Sequence, residues 1–193
     1  MLRIIGGEWR GRKLRFPPLP GLRPSPDRVR ETLFNWLAPA LPGAHCLDLF
    51  AGSGALGLEA LSRGAASCHF VDAAGAACRQ IEEHLRTLNC DRGTVVQADA
   101  RAWLERLPPA PATVDIVFLD PPFHQQLLGP CCDALERSGR LAADALIYLE
   151  AGADEPLPAL PEHWLPHRDK RAGQVAYRLF RRDAAWSAAP RLG

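Results

Sequence analysis

The chain has 193 residues, 47% of them hydrophobic and 23% charged, which suits one globular domain with a real core and excludes a disordered chain. The net charge is only +1, yet residues 1–30 hold eight Arg or Lys against two Asp or Glu, a balance of +6, while the remainder holds fifteen against twenty. That asymmetry points to a polyanionic partner, most often nucleic acid. No run approaches the roughly 18 apolar residues of a membrane helix, and the opening MLRIIGGEWRGRK lacks a signal peptide's apolar stretch, so a cytoplasmic protein without a membrane partner is expected.

In chain order, residues 2–5 and 13–16 are short strand candidates around Gly6-Gly7 and Gly11, a hairpin with arginines on its outer face and tip. The proline-rich PPLPGLRPSP connects it to the helix DRVRETLFNWL, with Ser25 expected as N-cap and Pro26 at the first helical position. Val29, Leu33, Phe34, Trp36 and Leu37 give that helix a broad apolar side, with Arg28 and Arg30 facing outward. From Ala44 strands and helices alternate. Strands are expected at 45–50, 68–72, 94–99, 114–120 and 145–150, with helices between them, the last beginning near Pro130. The alternation argues for a parallel sheet covered on both faces. HWLPHRDKR and QVAYRLFR, separated by Ala172-Gly173, read as a closing antiparallel hairpin, and residues 183–193 as a loose tail. The expected organisation is a basic hairpin and linker at 1–24, a catalytic domain at 25–182 and the tail. The six cysteines form no C-x-x-C pair and have no histidines at zinc spacing, so they read as reduced and partly buried, with no metal site.

Gly52, Gly54 and Gly57 fit G-x-G-x-x-G at the first strand-to-helix turn, and Asp72 ends the next strand twenty residues after Gly52, where a carboxylate grips ribose hydroxyls. Asp48 lies in the strand four residues before Gly52. An anion there gives a pyrophosphate nothing, but it attracts a sulfonium or ammonium group, which turns the reading from a nicotinamide cofactor to S-adenosylmethionine. Asp99, which ends the third strand in an Ala-Asp-Ala step, can accept from the adenine amine. The cofactor-binding candidates are therefore Asp48, Phe50, Ala51, Gly52, Ser53, Gly54, Asp72, Asp99 and Ala100. A turn-stabilising role for Asp48, bonded to backbone amides, is the competing reading.

FLDPPF (118–123) follows the fourth strand, at the carboxyl edge where open α/β sheets bind ligands. Asp120 and the Pro121 carbonyl can accept the two hydrogens of an exocyclic amine, Pro121 and Pro122 stiffen the backbone, and Phe123 offers a face for a flipped base. These four are the catalytic candidates. Arg3, Arg10, Arg12, Lys13, Arg15, Arg23, Arg28 and Arg30 are the candidates for the phosphates of a nucleic-acid partner.

DLFAGSGALGLEALSRGA with FLDPPF resembles the amino-directed methyltransferases. Together with RIIGGEWRGRKL, GLRPSPDRVRETLFNWL, ALIYLE and AGQVAYRLFRR, it resembles the RsmD family of bacterial rRNA methyltransferases over residues 3–182. The resemblance implies an α/β, Rossmann-like class I methyltransferase with a mostly parallel seven-stranded sheet, an antiparallel C-terminal hairpin and an N-terminal hairpin extension. It implies S-adenosylmethionine as cofactor and 16S rRNA of the small ribosomal subunit as partner. The implied target is the amine of one guanine, at rRNA position 966, and the implied enzyme is a monomer. One departure stands out: the family often has a second acid or polar residue two positions after the ribose-binding acid, and here that position is Ala74. A methyltransferase acting on DNA or on glutamine also fits D-P-P-F, and a non-catalytic RNA-binding assembly factor or a nicotinamide oxidoreductase would fit fewer of the motifs.

Overall fold

A computed structural model describes residues 1–18, 20 and 25–185. The chain divides into two units, Met1–Ala100 and Arg101–Gly193.

In the first unit, β1 (Leu2–Arg3) pairs antiparallel with β2 (Lys13–Leu14). Both strands are shorter than the sequence predicts; past Ile4, whose N–H still donates to the Arg12 carbonyl at 3.0 Å, the backbone of the first strand finds a different partner. The Ile5 and Gly6 N–H groups donate to the carboxylate of Glu59 at 2.9 and 2.8 Å, and the Trp9 N–H donates to Ser62 Oγ at 3.0 Å. Gly7 is required by this docking: its φ is 77°, and a Cβ there would lie 1.9 Å from the Ser62 carbonyl oxygen. Helix α1 (Asp27–Leu37) buries Val29, Leu33, Phe34 and Leu37, as its spacing predicts. Its cap differs from the prediction by one residue. Pro26 itself is the N-cap, extended at ψ 147°, with no side-chain cap, and its carbonyl accepts from Val29 and Arg30. Asp27 in the first turn complements the helix dipole.

The predicted alternation follows as β3 (His45–Leu49), α2 (Ala55–Ser62), β4 (Ser67–Asp72), α3 (Gly75–Thr87) and β5 (Gly93–Gln97), and α4 (Ala100–Arg106) begins on this unit's last residue and belongs otherwise to the second. Within this unit β3 pairs parallel with β4, and β4 with β5. Every residue of α2 is buried. Gly57 allows the close approach of that helix to β4: a Cβ there would sit 2.2 Å from the ring of Phe70.

The second unit holds β6 (Val114–Leu119), α5 (Leu128–Arg137), β7 (Leu141–Gly152), β8 (Trp164–Ala172) and β9 (Val175–Arg182). β6 pairs parallel with β7, and β9 runs antiparallel to both β7 and β8. The predicted closing hairpin turns at Gly173-Gln174, since Ala172 pairs with Val175. Helix α5 begins at Leu128, two residues before Pro130; within the first turn a proline's missing N–H has no intrahelical partner to lose. Strands β3 to β9 form a seven-stranded, mostly parallel sheet with antiparallel C-terminal strands, and five helices accompany it among the described residues. No helix among the described residues is long and apolar enough to cross a membrane. All six cysteines are free, five of them buried.

Glu136 on α5 latches the C-terminal hairpin. It accepts from Trp164 Nε1 at 2.8 Å and Arg182 Nη2 at 2.7 Å, and His163 Nε2 lies 2.9 Å away. Burial opposes its charge, but the bonds from Arg182, Trp164 and His163 outweigh burial, and the carboxyl titrates at about 2 in place of its usual 4.5. A depressed carboxylate pKa stabilises the fold above its unfolded value and loses that stabilisation as pH falls from 4.5 towards 2. With part of the group in solvent, the contribution is about 1–2 kcal/mol. Glu136→Gln is expected to lower the urea midpoint at pH 7 and to flatten its decline between pH 5 and 3. An unchanged acid profile would contradict the latch.

Candidate active site and RNA-facing arm

In the first unit, most of the cofactor candidates lie at the ends of β3 and β4, while Asp99 and Ala100 follow β5. The chain leaves β3 through Phe50, a non-glycine residue at φ 63°, and the Ala51 N–H reaches across to the Val71 carbonyl at 3.0 Å. Gly52 (φ 55°) and Gly54 (φ 77°) complete the turn, and Gly54 is the N-cap of α2. The Gly52 N–H donates to one oxygen of Asp72 and the Ala74 N–H to the other, both at 2.8 Å. The glycine turn and the acid that ends β4 are thus locked together. Ser53 is buried. Asp99 is exposed and directly precedes α4, whose first residue, Ala100, is buried. Asp99 lies two residues past the end of β5, not on the strand as predicted.

Asp48 is 2% exposed, and its carboxylate accepts the Gly57 N–H at 3.0 Å. This amide is one of the four in the first turn of α2 that lack an intrahelical partner. The bond explains why a carboxylate sits inside a strand, and it is the turn-stabilising contact of the competing sequence reading. Burial raises the Asp48 carboxyl well above the usual range; the Gly57 bond opposes this shift and the nearby Asp72 adds to it.

The second unit carries FLDPPF. Asp120 follows β6 directly and is half-buried, Pro121 is buried, Pro122 is exposed and Phe123 is half-buried. The loop continues through His124 (φ 61°) and Gln126 (φ 53°), both in the left-handed region that non-glycine residues seldom occupy. Glu155 holds it: one carboxylate oxygen accepts the His124 N–H, the other the Gly152 N–H at 2.7 Å. A cavity of about 530 Å³ opens here, walled by Pro121, Pro122, Phe123, Leu128, Glu150 and Pro158 among others. That volume lies within the range of small-molecule sites, roughly 300–1,000 Å³.

Of the RNA candidates, Arg3, Arg10, Arg12, Lys13, Arg15 and Arg28 are exposed, and the hairpin register sets Arg3 opposite Lys13. Arg23 lies outside the described residues. Arg30 is a correction. Its side chain is 2% exposed and donates to the Arg3 carbonyl at 3.0 Å and to Asp27 at 2.6 Å, with Glu59 3.6 Å away. It ties the arm to α1 and is closed to phosphate. Arg168, Lys170 and Arg171 form a second exposed basic run on β8.

Three buried acceptors went unread in the sequence. Glu59 and Ser62 hold the arm through contacts more than fifty residues apart in the chain, for which no local pattern exists. Glu150, 3% exposed at the cavity, had a signal: ALIYLE ends on an acid, as FLD does. Among the described residues, no group of three or more His, Cys, Asp or Glu is placed to hold a metal ion.

The sheet, with its glycine turn after β3 and an acid ending β4, has the Rossmann-like fold of the class I methyltransferases. The chain belongs to the RsmD family: the model of the family described as "Conserved hypothetical protein 95" matches residues 2–181. It is 52% identical over 183 residues to Ribosomal RNA small subunit methyltransferase D of Escherichia coli strain K12, covering 95% of this chain and 91% of that protein. It is 44% identical over 181 residues to the protein of the same name in Haemophilus influenzae, covering 93% of each. The solved structure of yhhF from Escherichia coli is 51% identical, with a TM-score of 0.86 over 95% of this chain and 98% of that one.

Proposed function

We propose that the protein methylates the exocyclic N2 amine of one guanine in 16S rRNA of the small ribosomal subunit, using S-adenosylmethionine, as a cytoplasmic monomer. Residues 25–182 are the catalytic domain and residues 1–24 the RNA-recruiting arm. The observation that carries this reading is the FLDPPF loop, a strand-end acid and a half-buried ring walling a cavity sized for a small planar group, in a chain whose relatives are named as small-subunit rRNA methyltransferases. The test of cofactor choice is thermal stabilisation: S-adenosylhomocysteine is expected to raise the melting temperature and NAD to leave it unchanged. Stabilisation by NAD alone would overturn the reading.

The residues after β3 and β4 fit this cofactor. Each Asp72 oxygen takes one backbone amide, and an ionised carboxylate has about four lone-pair positions, so capacity remains for two ribose hydroxyls. In this reading Asp99 accepts from the adenine amine and Asp48 faces the positive end. Asp72→Ala is expected to weaken S-adenosylhomocysteine binding by roughly 1.5–3 kcal/mol, the worth of hydrogen bonds to a charged group. Calorimetry showing unchanged affinity would remove Asp72 from the site.

S-adenosylmethionine, when bound, supplies an electrophilic methyl group on a sulfonium. The chain's part is positioning and electrostatics. The guanine amine is a weak nucleophile because its lone pair is delocalised into the ring. Asp120 and the Pro121 carbonyl accept its two hydrogens, which favours a pyramidal nitrogen with a localised lone pair. Phe123 stacks on the flipped base, a contact worth about 1–3 kcal/mol. Asp120 need not be a strong base, since the methylated amine is acidic and its proton can leave to water.

The exposed arm residues Arg3, Arg10, Arg12, Lys13 and Arg15, with Arg28 of α1, meet RNA phosphates in this reading, and Arg23 of the linker is assigned with them. Each lost phosphate contact should flatten the log–log salt dependence of RNA affinity by about 0.7. Combined Arg10→Ala, Arg12→Ala and Lys13→Ala is expected to reduce the slope by about 2. Arg30→Ala is expected to lower stability and to leave no specific mark on the slope. An unchanged slope in the triple variant would mean that the arm is not the recruiter.

A further inference from the structure

The cavity beside FLDPPF has a second acid on its wall. Glu150 is 3% exposed, lies near the end of β7 and lines the cavity with Pro121, Pro122 and Phe123. The parallel register pairs Leu119 with Leu149, so Asp120 and Glu150 are the next residues at the carboxyl ends of neighbouring strands. Tyr148, two residues earlier on the same face of β7, donates its hydroxyl to Glu150 Oε2 at 2.9 Å. The tyrosine ring is itself buried and packs edge-on against Phe118, with ring centroids 6.4 Å apart. The Glu150 carboxylate is therefore held in place from below. The other acid on the wall, Glu155, already has one backbone amide on each oxygen.

We infer that Glu150 selects guanine, its carboxylate accepting the N1–H of the base whose amine is held by Asp120 and the Pro121 carbonyl. This role rests on the function proposed above. In guanine the ring nitrogen beside the amine is a donor. In adenine and in cytosine the ring nitrogen beside the amine is an acceptor with a lone pair. A fixed carboxylate facing that nitrogen gains a hydrogen bond from guanine and repels the other two, so one residue supplies both attraction and rejection. A carboxylate accepts at about four lone-pair positions, so it can take N1–H alongside other donors such as the Tyr148 hydroxyl.

The test uses particles assembled on 16S rRNA in which the target guanine is replaced by 2,6-diaminopurine. This base keeps the C2 amine but has an acceptor at N1. The wild-type protein is expected to methylate guanine at least about 100-fold faster than the analogue, because a site built to accept a hydrogen rejects a base that lacks it. Glu150→Gln can donate its amide to the acceptor nitrogen and is expected to narrow the ratio to about 10-fold or less. S-adenosylhomocysteine affinity should be unchanged. Tyr148→Phe is expected to slow both substrates while keeping the preference for guanine. If Glu150→Gln keeps the wild-type ratio, or slows both substrates equally, Glu150 only supports the strand and the inference fails. If the wild-type protein discriminates by less than about 10-fold while methylating guanine well, the inference fails and the enzyme assignment stands. A wild-type protein that binds the cofactor but labels no guanine overturns the assignment, and this role with it.

Discussion

Asp120→Ala is expected to lower single-turnover methylation of small-subunit particles by about 100- to 1,000-fold, the usual cost of removing one preorganised charge-stabilising group. The effect should fall on turnover and not on cofactor affinity, because Asp120 follows β6 while the cofactor candidates Asp48, Gly52 and Asp72 lie on β3, on β4 and in the turn between β3 and α2. Asp120→Asn is the sharper variant. It keeps an acceptor oxygen and nearly the same volume, but it brings a donor amide that cannot accept from the substrate amine. Its rate should fall between those of wild type and Asp120→Ala. Phe123→Ala should weaken productive base binding instead, and Phe123→Tyr should be tolerated because the ring face remains. Near-normal turnover in Asp120→Ala would reduce FLDPPF to a stiff loop after a strand.

Glu59→Ala is expected to destabilise the protein by about 3–5 kcal/mol, because it removes one partner from a buried charge cluster. Glu59 is fully buried, and four groups converge on it: the Ile5 and Gly6 amides, Arg63 Nε at 2.8 Å and Arg30 Nη1 at 3.6 Å. Alanine leaves the Arg30 guanidinium in the interior with only Asp27 as a carboxylate partner. The arm amides lose their acceptor at the same time, so RNA affinity should fall along with stability. Glu59→Gln keeps an oxygen for the amides and should lose less. Urea unfolding that shifts by less than about 1 kcal/mol in Glu59→Ala would show that the arm is held without the Glu59 cluster.

The parts of the fold legible in the sequence are those written in local backbone chemistry. The turn through Gly52 and Gly54 needs positive φ, and both glycines have it. FLDPPF announced itself because two prolines after an acid leave few backbone choices. The β-α alternation was legible because each strand is a short apolar run bounded by turn residues. What escaped depends on contacts distant in the chain. The arm's first strand stops early because Glu59, more than fifty residues away, takes the Ile5 and Gly6 amides that a longer hairpin would pair. Arg30 was assigned to solvent from its charge, although its spacing to Leu33, Phe34 and Leu37 places it on the apolar face of α1, where Asp27 and Glu59 receive it. Asp48 shows a different limit: one carboxylate inside a strand fits both a cofactor's positive end and an orphan helix amide, and the structure displays the second bond.

The most direct measurement is transfer of labelled methyl from S-adenosylmethionine to small-subunit particles that lack the modification, followed by digestion of the 16S rRNA and chromatography of its nucleosides. The account predicts label in N2-methylguanosine alone, approaching one methyl per particle, with no transfer by Asp120→Ala on the same time scale. Label in an adenine or cytosine derivative, or none from a protein that binds S-adenosylhomocysteine, would contradict it.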